Sequence, residues 1–196
     1  MHWGLERITF KIIMEIRKTP LDGVLLLTPK LFTDNRGWFV ESYNRAVFEA
    51  AGIVDPFVQD NHSRSQKNTL RGLHFQTMPG QAKLIRCTVG KIWDVAVDIR
   101  PESSTFGEHF GMELSFDNPN QLFIPIGFAH GFLVLSDWAE VQYKCSNIYN
   151  GATESGIQWD DLDLKVEWPL NTNTPLISER DKKNQSFSEF RKRLGD

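Results

Sequence analysis

The chain has 196 residues and a formal net charge of −3, with 40% apolar and 24% charged residues. This composition excludes a disordered chain, and no excess of positive charge indicates a nucleic-acid partner. The length suits one domain that buries its own core. Aromatic residues reach 12% of the chain, a content that favours strands and pocket linings.

The two cysteines, Cys87 and Cys145, lack CxxC spacing and indicate a reducing, cytoplasmic environment. The longest apolar stretches are too short to span a membrane. Near the N-terminus, Lys11 and the lack of a small-residue cleavage site argue against a secretory signal. Met14 begins a more ordinary opening sequence, MEIRK, so we predict an N-terminal extension of unknown role at residues 1–13 and a single domain over residues 14–196.

The first half of the chain is dominated by strand patterns. Residues 23–32 and 38–43 are apolar and β-prone, and a turn signal at residues 34–37 separates them. Asn44 is a suitable N-cap for a short helix over residues 45–51.

A hairpin is predicted in the middle of the chain, where residues 83–89 and 92–99 flank the turn Gly90-Lys91. In its second arm apolar residues alternate with Asp94 and Asp98, which is the period of a half-buried strand. Further strands are predicted over residues 122–126, 131–135 and 140–147.

The C-terminal tail, residues 178–194, is charged and helical in pattern, and a loop at residues 169–175 separates it from the strands. Many short strands with few helices indicate an all-β fold, an antiparallel sandwich or barrel. Neither GxGxxG nor GxxxxGK[ST] occurs, so no motif supports a dinucleotide or P-loop site.

The five histidines do not show metal-ligand spacing, because neither an HxH pair nor HExxH occurs. His74 is followed by Phe75 and Gln76, which cannot supply the histidine pair of a metal-binding cupin. We therefore predict no metal site.

Polar residues within apolar strands are the candidates for chemistry. Arg71 lies three residues before His74 in an apolar context, and a buried arginine needs an anionic partner such as a ligand phosphate or carboxylate. His130 lies within an aromatic run, and Tyr143 shares a strand face with Cys145. A histidine or tyrosine on a strand is also commonly a satisfied core group, so the pattern leaves both interpretations open.

Basic residues stand singly at Arg36 in a turn and at Lys83 and Arg86 in an apolar strand. Scattered basic residues usually belong to a solvated face, but at one barrel mouth they would bind a diphosphate. Asp181 follows Ser178 in a capping-box-like start of the tail helix and could be a helix cap.

Together these segments resemble one family, the dTDP-4-dehydrorhamnose 3,5-epimerases of nucleotide-sugar metabolism. The resemblance extends from about residue 19 to residue 181 and depends on several motifs in order. The motifs are residues 34–41 (DNRGWFVE), 59–63 (QDNHS), 70–76 (LRGLHFQ), 81–83 (QAK), 125–132 (PIGFAHGF), 143–145 (YKC) and 157–169.

The resemblance implies a metal-free cupin, a double-stranded β-helix (jelly roll) with a short helical C-terminal tail that forms a homodimer. Each barrel would hold a dTDP-4-keto-6-deoxysugar, without a cofactor, and the partner's exchanged N-terminal strand would add contacts. Residues 182–185 (KKNQ) depart from the small residues and proline usual in the family, which leaves the packing of the tail open.

The chemistry implied by the resemblance is epimerisation at C3 and C5 of a 4-keto sugar, whose hydrogens at both carbons are acidic. It needs a base on one face of the ring, an acid on the other and a positive group at the enolate oxygen. By resemblance, His74 is the base that Asp181 orients, Tyr143 is the opposite-face proton donor, and Lys83 stabilises the enolate.

The resemblance also implies a set of substrate-binding residues, with Arg36 and Arg71 on the diphosphate and Tyr149 stacked on thymine. The full set is Arg36, Glu41, Gln59, Asn61, Arg71, His130, Tyr149, Glu154 and Arg180.

Several other functions are compatible with parts of this pattern. A 3-only or 5-only epimerase would carry the same histidine and tyrosine, so the motifs do not separate it from the double epimerase. A non-catalytic sugar-nucleotide-binding cupin is less compatible, because His74, Asp181, Tyr143 and Lys83 occur together. A 3,4-ketoisomerase is less compatible because the tyrosine and aspartate positions match the epimerases, and a metal-dependent cupin oxygenase would need the histidine spacing that is missing here.

Overall fold

The computed structural model describes residues 8–10, 13–170 and 174–195 of the chain. Within them the strands are β1 Ile8–Phe10, β2 Met14–Lys18, β3 Leu25–Pro29, β4 Leu31–Asp34, β5 Gly37–Val40, β6 Gln59–Gln66, β7 Leu70–Gln76, β8 Lys83–Val89, β9 Lys91–Asp98, β10 His109–Ser115, β11 Gln121–Ile124, β12 Phe128–Val134, β13 Trp138–Cys145 and β14 Glu154–Gly156. The helices are α1 Arg45–Ala50, a 3-10 turn Asp181–Lys183 and α2 Phe187–Leu194.

Two antiparallel sheets form the body of the protein and confirm the all-β jelly roll. One is seven-stranded in the order β1-β2-β3-β11-β8-β13-β6, and the other is five-stranded in the order β10-β9-β12-β7-β14. Strands β4 and β5 form a separate hairpin at the turn predicted over residues 34–37. The interior between the sheets is apolar, with Ile85 and Leu122 from the first sheet against Ile92 and Val134 from the second.

Each sheet is covered on its outer face by a helical segment. Phe48 of α1 packs on the seven-stranded sheet, and Phe187 and Phe190 of α2 pack on the five-stranded sheet. The N-cap of α1 is the predicted one, because Asn44 Oδ1 accepts a hydrogen bond from the Ala46 amide at 3.1 Å. Where a helix covers its outer face, each sheet is buried on both faces.

The predicted hairpin of β8 and β9 is wrong, since the two strands belong to different sheets. β8 pairs with β11 and β13, whereas β9 pairs with β10 and β12. Gly90, with a φ of 73°, therefore turns the chain from one sheet into the other rather than back alongside itself. Alternation in the sequence predicts that a segment is a strand, but it does not predict which other strand will pair with it.

β9 is also not half-buried, because both of its faces lie inside the protein. Val95 and Val97 pack beneath the C-terminal segment, while Asp94 and Asp98 are 0% exposed. The polar residues of the alternation do not face solvent, and each must find a partner within the fold.

The tail is not one continuous helix. The 3-10 turn and α2 are separated by residues 184–186, and Gln185 forms a parallel bridge to Ile157. Ser186 caps α2 in a capping box with Glu189. The departure from the family pattern at residues 182–185 therefore does not prevent the tail from packing on the sheet.

Part of the predicted N-terminal extension is described. β1 pairs antiparallel with β2 in the register Ile8↔Ile16 and extends the seven-stranded sheet by one strand. Residues 1–7, 11 and 12 lie outside the described residues.

Asp98 ties the loop after β9 to the sheet. Its carboxylate accepts hydrogen bonds from Arg100 Nη2 at 2.6 Å, Ser103 Oγ at 2.6 Å and Thr105 Oγ1 at 2.7 Å. Burial opposes ionisation of this carboxyl, but the hydrogen bonds prevail and lower the pKa of Asp98 to about 2.

We expect Asp98→Asn to destabilise the protein by about 3 kcal/mol at pH 7, since it leaves the partly buried Arg100 without its acid. The folded pKa of Asp98 lies below the unfolded value of about 3.9, so its contribution is present above pH 4 and is lost as the pH falls towards 2. Urea titrations at pH 7 and pH 3 measure the difference, which should shrink at the lower pH. As a control, Asp137→Asn should change stability by less than about 0.5 kcal/mol, because Asp137 is 91% exposed. Equal losses for both variants would contradict the expectation.

Candidate active site

The polar side chains inside the barrel come from both sheets. His74 of β7 and His130 of β12 belong to the five-stranded sheet, where they are directly paired across the two strands. Lys83 of β8 and Tyr143 of β13 belong to the seven-stranded sheet. Lys83 lies two residues before inward-facing Ile85 and so shares its face, which places the two sets of polar groups on opposite walls of one interior.

His74 is paired with Asp181 from the C-terminal tail. Its Nε2 lies 2.7 Å from Asp181 Oδ1, and the Asp181 side chain is only 5% exposed. Asp181 also accepts a hydrogen bond from the Gly72 amide at 3.4 Å. Burial opposes its ionisation, yet the hydrogen bond and charge of His74 keep the pKa of Asp181 below its ordinary value. The Asp181 side chain therefore does not cap the 3-10 turn that begins at this residue. Instead, the Asp181 backbone amide donates a hydrogen bond to Ser178 Oγ at 3.0 Å.

A second histidine–carboxylate pair lies beside the first. His130 Nε2 is 2.9 Å from Asp94 Oδ2, and both side chains are buried. Burial lowers the pKa of His130 below its ordinary value, although the Asp94 carboxylate opposes this shift. Sequence analysis missed Asp94 because its place in the alternation predicted a solvent-facing residue. The signal that could have found it is an aspartate between apolar residues of a strand rich in valine.

Lys83 and Tyr143 are held in a setting that disfavours their charged forms. Burial lowers the pKa of the Lys83 ammonium, and the nearby Cys145, Glu154 and Asp94 oppose that shift. Among the described residues Lys83 forms no ion pair. Burial likewise raises the pKa of Tyr143, while hydrogen bonding to Asn61 and the charge of Arg71 act in the opposite direction. Both shifts favour the neutral form of the group, and perturbed ionisable groups of this kind are typical of functional sites.

Three of the predicted binding residues form one cluster. Glu154 accepts a hydrogen bond from Tyr149 Oη at 2.6 Å and forms an ion pair with Arg180 Nη2 at 2.6 Å. Arg180 immediately precedes Asp181, so the cluster joins the turn before β14 to the tail that carries the acid of the first pair. Tyr149 is 52% exposed, which leaves its ring accessible for stacking.

Other predicted residues lie outside this interior. Arg36 is in the β4–β5 turn, with a side chain that is 86% exposed and paired with Asp34. Glu41 follows the same hairpin and accepts a hydrogen bond from Asn44 at 3.0 Å. Arg86 occupies the outer face of the seven-stranded sheet, where it donates to Gln142 at 2.7 Å, so it does not join Lys83 at the barrel mouth.

Arg71 is exposed, which contradicts the prediction of a buried arginine in need of an internal anion. Its Nε donates to Ser65 Oγ at 3.0 Å, and it forms no ion pair within the described part of the chain. Gln59 and Asn61 are half-buried neighbours on β6, where Gln59 Nε2 donates to Asn61 Oδ1 at 3.0 Å.

Within residues 8–10, 13–170 and 174–195 no group of three or more His, Cys, Asp or Glu side chains is arranged to hold a metal ion. Both cysteines are buried free thiols. No helix of the described residues is long and apolar enough to cross a membrane.

An antiparallel jelly roll with paired ionisable groups inside its barrel defines a cupin-type protein with an internal site. The model of the dTDP-4-dehydrorhamnose 3,5-epimerase family matches residues 18–189. The dTDP-4-dehydrorhamnose 3,5-epimerase of Shigella flexneri is 52% identical over 176 residues, which cover 89% of this chain and 96% of that protein. The chain belongs to this family.

Solved structures agree with this assignment. A dTDP-6-deoxy-D-glucose-3,5-epimerase from Legionella pneumophila, in complex with dTDP-4-keto-L-rhamnose, has a TM-score of 0.87 and 44% identity, covering 89% of this chain and 93% of that one. A 3'-monoepimerase from Streptomyces bikiniensis, in complex with dTDP-quinovose, has a TM-score of 0.84 and 32% identity, covering 90% of this chain and 89% of that one.

We expect Asp94→Asn to lower the pKa of His130 further, because the variant removes the negative charge that favours the imidazolium. NMR titration of ¹³C-labelled histidine rings measures the shift, with His130→Gln assigning the resonance. Asp60→Asn is the control, since Asp60 is 71% exposed and paired with Lys144. A His130 titration that is the same in Asp94→Asn and in the parent would contradict the expectation.

Proposed function

We propose that the protein is an isomerase that epimerises dTDP-4-dehydro-6-deoxyglucose at C3 and C5 to give dTDP-4-dehydrorhamnose. One observation carries this proposal: the His74–Asp181 pair belongs to one wall of the barrel, and Tyr143 and Lys83 belong to the other. A sugar ring between the walls has a base on one face and a proton donor on the opposite face. Inversion of a carbon requires that arrangement, and the reaction consists of proton transfers that need no cofactor.

His74 acts as the general base in this proposal. The ketone at C4 makes the hydrogens at C3 and C5 acidic, and a neutral imidazole can remove either one to form an enolate. Asp181, held in its ionised form by His74 and the Gly72 amide, orients the ring and stabilises the imidazolium that forms.

Lys83 and Tyr143 complete the reaction from the other wall. The Lys83 ammonium, without an ion-pair partner among the described residues, stabilises the enolate oxygen, an effect typically worth about 3 kcal/mol. The Tyr143 phenol then delivers a proton to the opposite face of the carbon. His130 contacts the sugar, while Arg71, Glu154, Arg180 and the exposed ring of Tyr149 bind the nucleotide and diphosphate.

The alternative is an epimerase that inverts only one carbon. The 3'-monoepimerase from Streptomyces bikiniensis shares the fold at 32% identity, which shows that the architecture accommodates that activity in a relative. The 52% identity to the Shigella flexneri 3,5-epimerase favours double epimerisation here. A non-catalytic sugar-nucleotide-binding protein would have no use for a base and an acid on opposite walls.

Incubation with dTDP-4-dehydro-6-deoxyglucose in D2O should place deuterium at both C3 and C5, detected by proton NMR and mass spectrometry. We expect His74→Asn to reduce the exchange at both carbons at least 100-fold, because the general base is removed. Tyr143→Phe should retain exchange but lose product, since abstraction remains and opposite-face delivery is lost. Label at one carbon only would identify a mono-epimerase, and exchange absent from the parent protein would identify a binding protein.

We also propose that the protein is a cytoplasmic homodimer in which the β4–β5 hairpin of each protomer reaches the barrel of the other. Arg36 at its tip is 86% exposed and belongs to a hairpin separate from the two sheets of its own barrel. The hairpin also exposes apolar rings, with Phe39 66% and Trp38 49% exposed. A partner surface would cover these rings and would receive Arg36 as a diphosphate ligand. The buried free thiols fit a reducing cytoplasm.

Mixed dimers test this exchange. Arg36→Ala and His74→Asn homodimers should each be nearly inactive at low substrate concentration. Co-expressed with two different tags and purified as the mixed dimer, they should recover about half of the activity of the unsubstituted dimer, because one of the two barrels then holds His74 and receives an intact Arg36. An Arg36→Ala protein with unchanged KM, or a mixed dimer without recovery, would contradict the proposed exchange.

A further inference from the structure

The amide side chains of Gln59 and Asn61 form a chain of hydrogen bonds that has a defined direction. It begins at the backbone N–H of Tyr149, which donates to Gln59 Oε1 at 2.8 Å. A backbone N–H can only donate, so Oε1 is the acceptor and Gln59 Nε2 must be the donor to the next group. Gln59 Nε2 donates to Asn61 Oδ1 at 3.0 Å. The single N–H of Tyr149 thereby sets the orientation of both amides.

The far end of this chain lies beside Tyr143. With its oxygen turned to Gln59, Asn61 presents Nδ2 to the barrel, where it lies 3.5 Å from Cys145 Sγ. Asn61 on β6 is paired directly with Tyr143 on β13, and Cys145 is two residues further along the same face. Side chains of directly opposed residues are within contact distance. The Asn61 side chain lowers the pKa of Tyr143 against the effect of burial.

We propose that Asn61 is a positioning residue for Tyr143, and that Gln59 keeps its amide turned so that it donates rather than accepts. This inference depends on the proposed function, in which Tyr143 gives up its proton. The phenolate that remains is buried and needs a donor, and Asn61 Nδ2 supplies one. The chain of amides begins at the backbone of Tyr149, whose ring is assigned to the nucleotide. The position of this backbone therefore controls the orientation of the Asn61 donor beside Tyr143.

A positioning role and a nucleotide-contact role predict different kinetics. If Asn61 only contacted the nucleotide, Asn61→Leu would raise KM and leave kcat unchanged. A donor to the phenolate acts in the transition state, so we expect kcat to fall about tenfold or more, with KM within about threefold of the parent. Gln66→Leu is the matched control, because Gln66 is an exposed amide on the same strand and should leave both constants unchanged.

Gln59→Glu tests the direction of the chain without altering Asn61 or Tyr143. The glutamate still accepts from Tyr149 N–H but has no N–H for Asn61 Oδ1, so the Asn61 amide should turn round and present its oxygen to Tyr143. That oxygen stabilises the neutral phenol. We therefore expect a higher pKa for Tyr143 and a loss in kcat of the same order as in Asn61→Leu. In the Asn61→Leu background, Gln59→Glu should cause no further change in kcat or in the pKa of Tyr143. An effect of the glutamate charge alone would still be seen in that background.

The readout at the phenol is direct, because the chain has only 3 tyrosines. With ¹³Cζ-labelled tyrosine, NMR follows each phenol through its titration, and Tyr143→Phe assigns the resonance. A Tyr143 resonance and titration that do not move in Gln59→Glu and Asn61→Leu would overturn the inference while leaving Tyr143 as the acid. Full epimerase activity in Tyr143→Phe would instead overturn the proposed function, and the titrations would still report on the amide chain.

Discussion

The burial of ionisable side chains inside an apolar barrel is the constraint on which the rest of this structure depends. A charge in such an interior is stable only with a partner. Asp181 has His74, Asp94 has His130, and Asp98 has Arg100. Lys83 forms no ion pair within the described residues, which leaves its ammonium available for a developing negative charge.

The path of the chain between the two sheets determines how these pairs face one another. Because the chain changes sheet at Gly90, the consecutive strands β8 and β9 contribute Lys83 to one wall and Asp94 to the other. The tail then crosses the five-stranded sheet and returns Asp181 to His74, separated from it by 107 residues in sequence. A base and an acid on opposite walls are therefore a consequence of jelly-roll connectivity rather than of any local motif.

The second level of organisation is the hydrogen bonding that orients the titrating groups. Asp181 is aligned by the Gly72 amide, and the Asn61 amide is aligned through Gln59 by the Tyr149 backbone. In the amide chain a backbone N–H, which can only donate, sets the direction of side chains that could otherwise bond in two ways. Backbone donors can thus determine how the titrating groups of the interior are oriented.

Sequence by itself determined the all-β class, the helix α1 with its Asn44 cap, and the family, because alternation, capping and ordered motifs are local properties. It could not determine that β8 and β9 lie in different sheets, that Arg71 is exposed, or that Asp94 faces inwards to His130. Those features depend on which distant strands pair and which face a covering segment buries. Only the tertiary structure decided them, since pairing and burial are set by contacts between residues far apart in the chain.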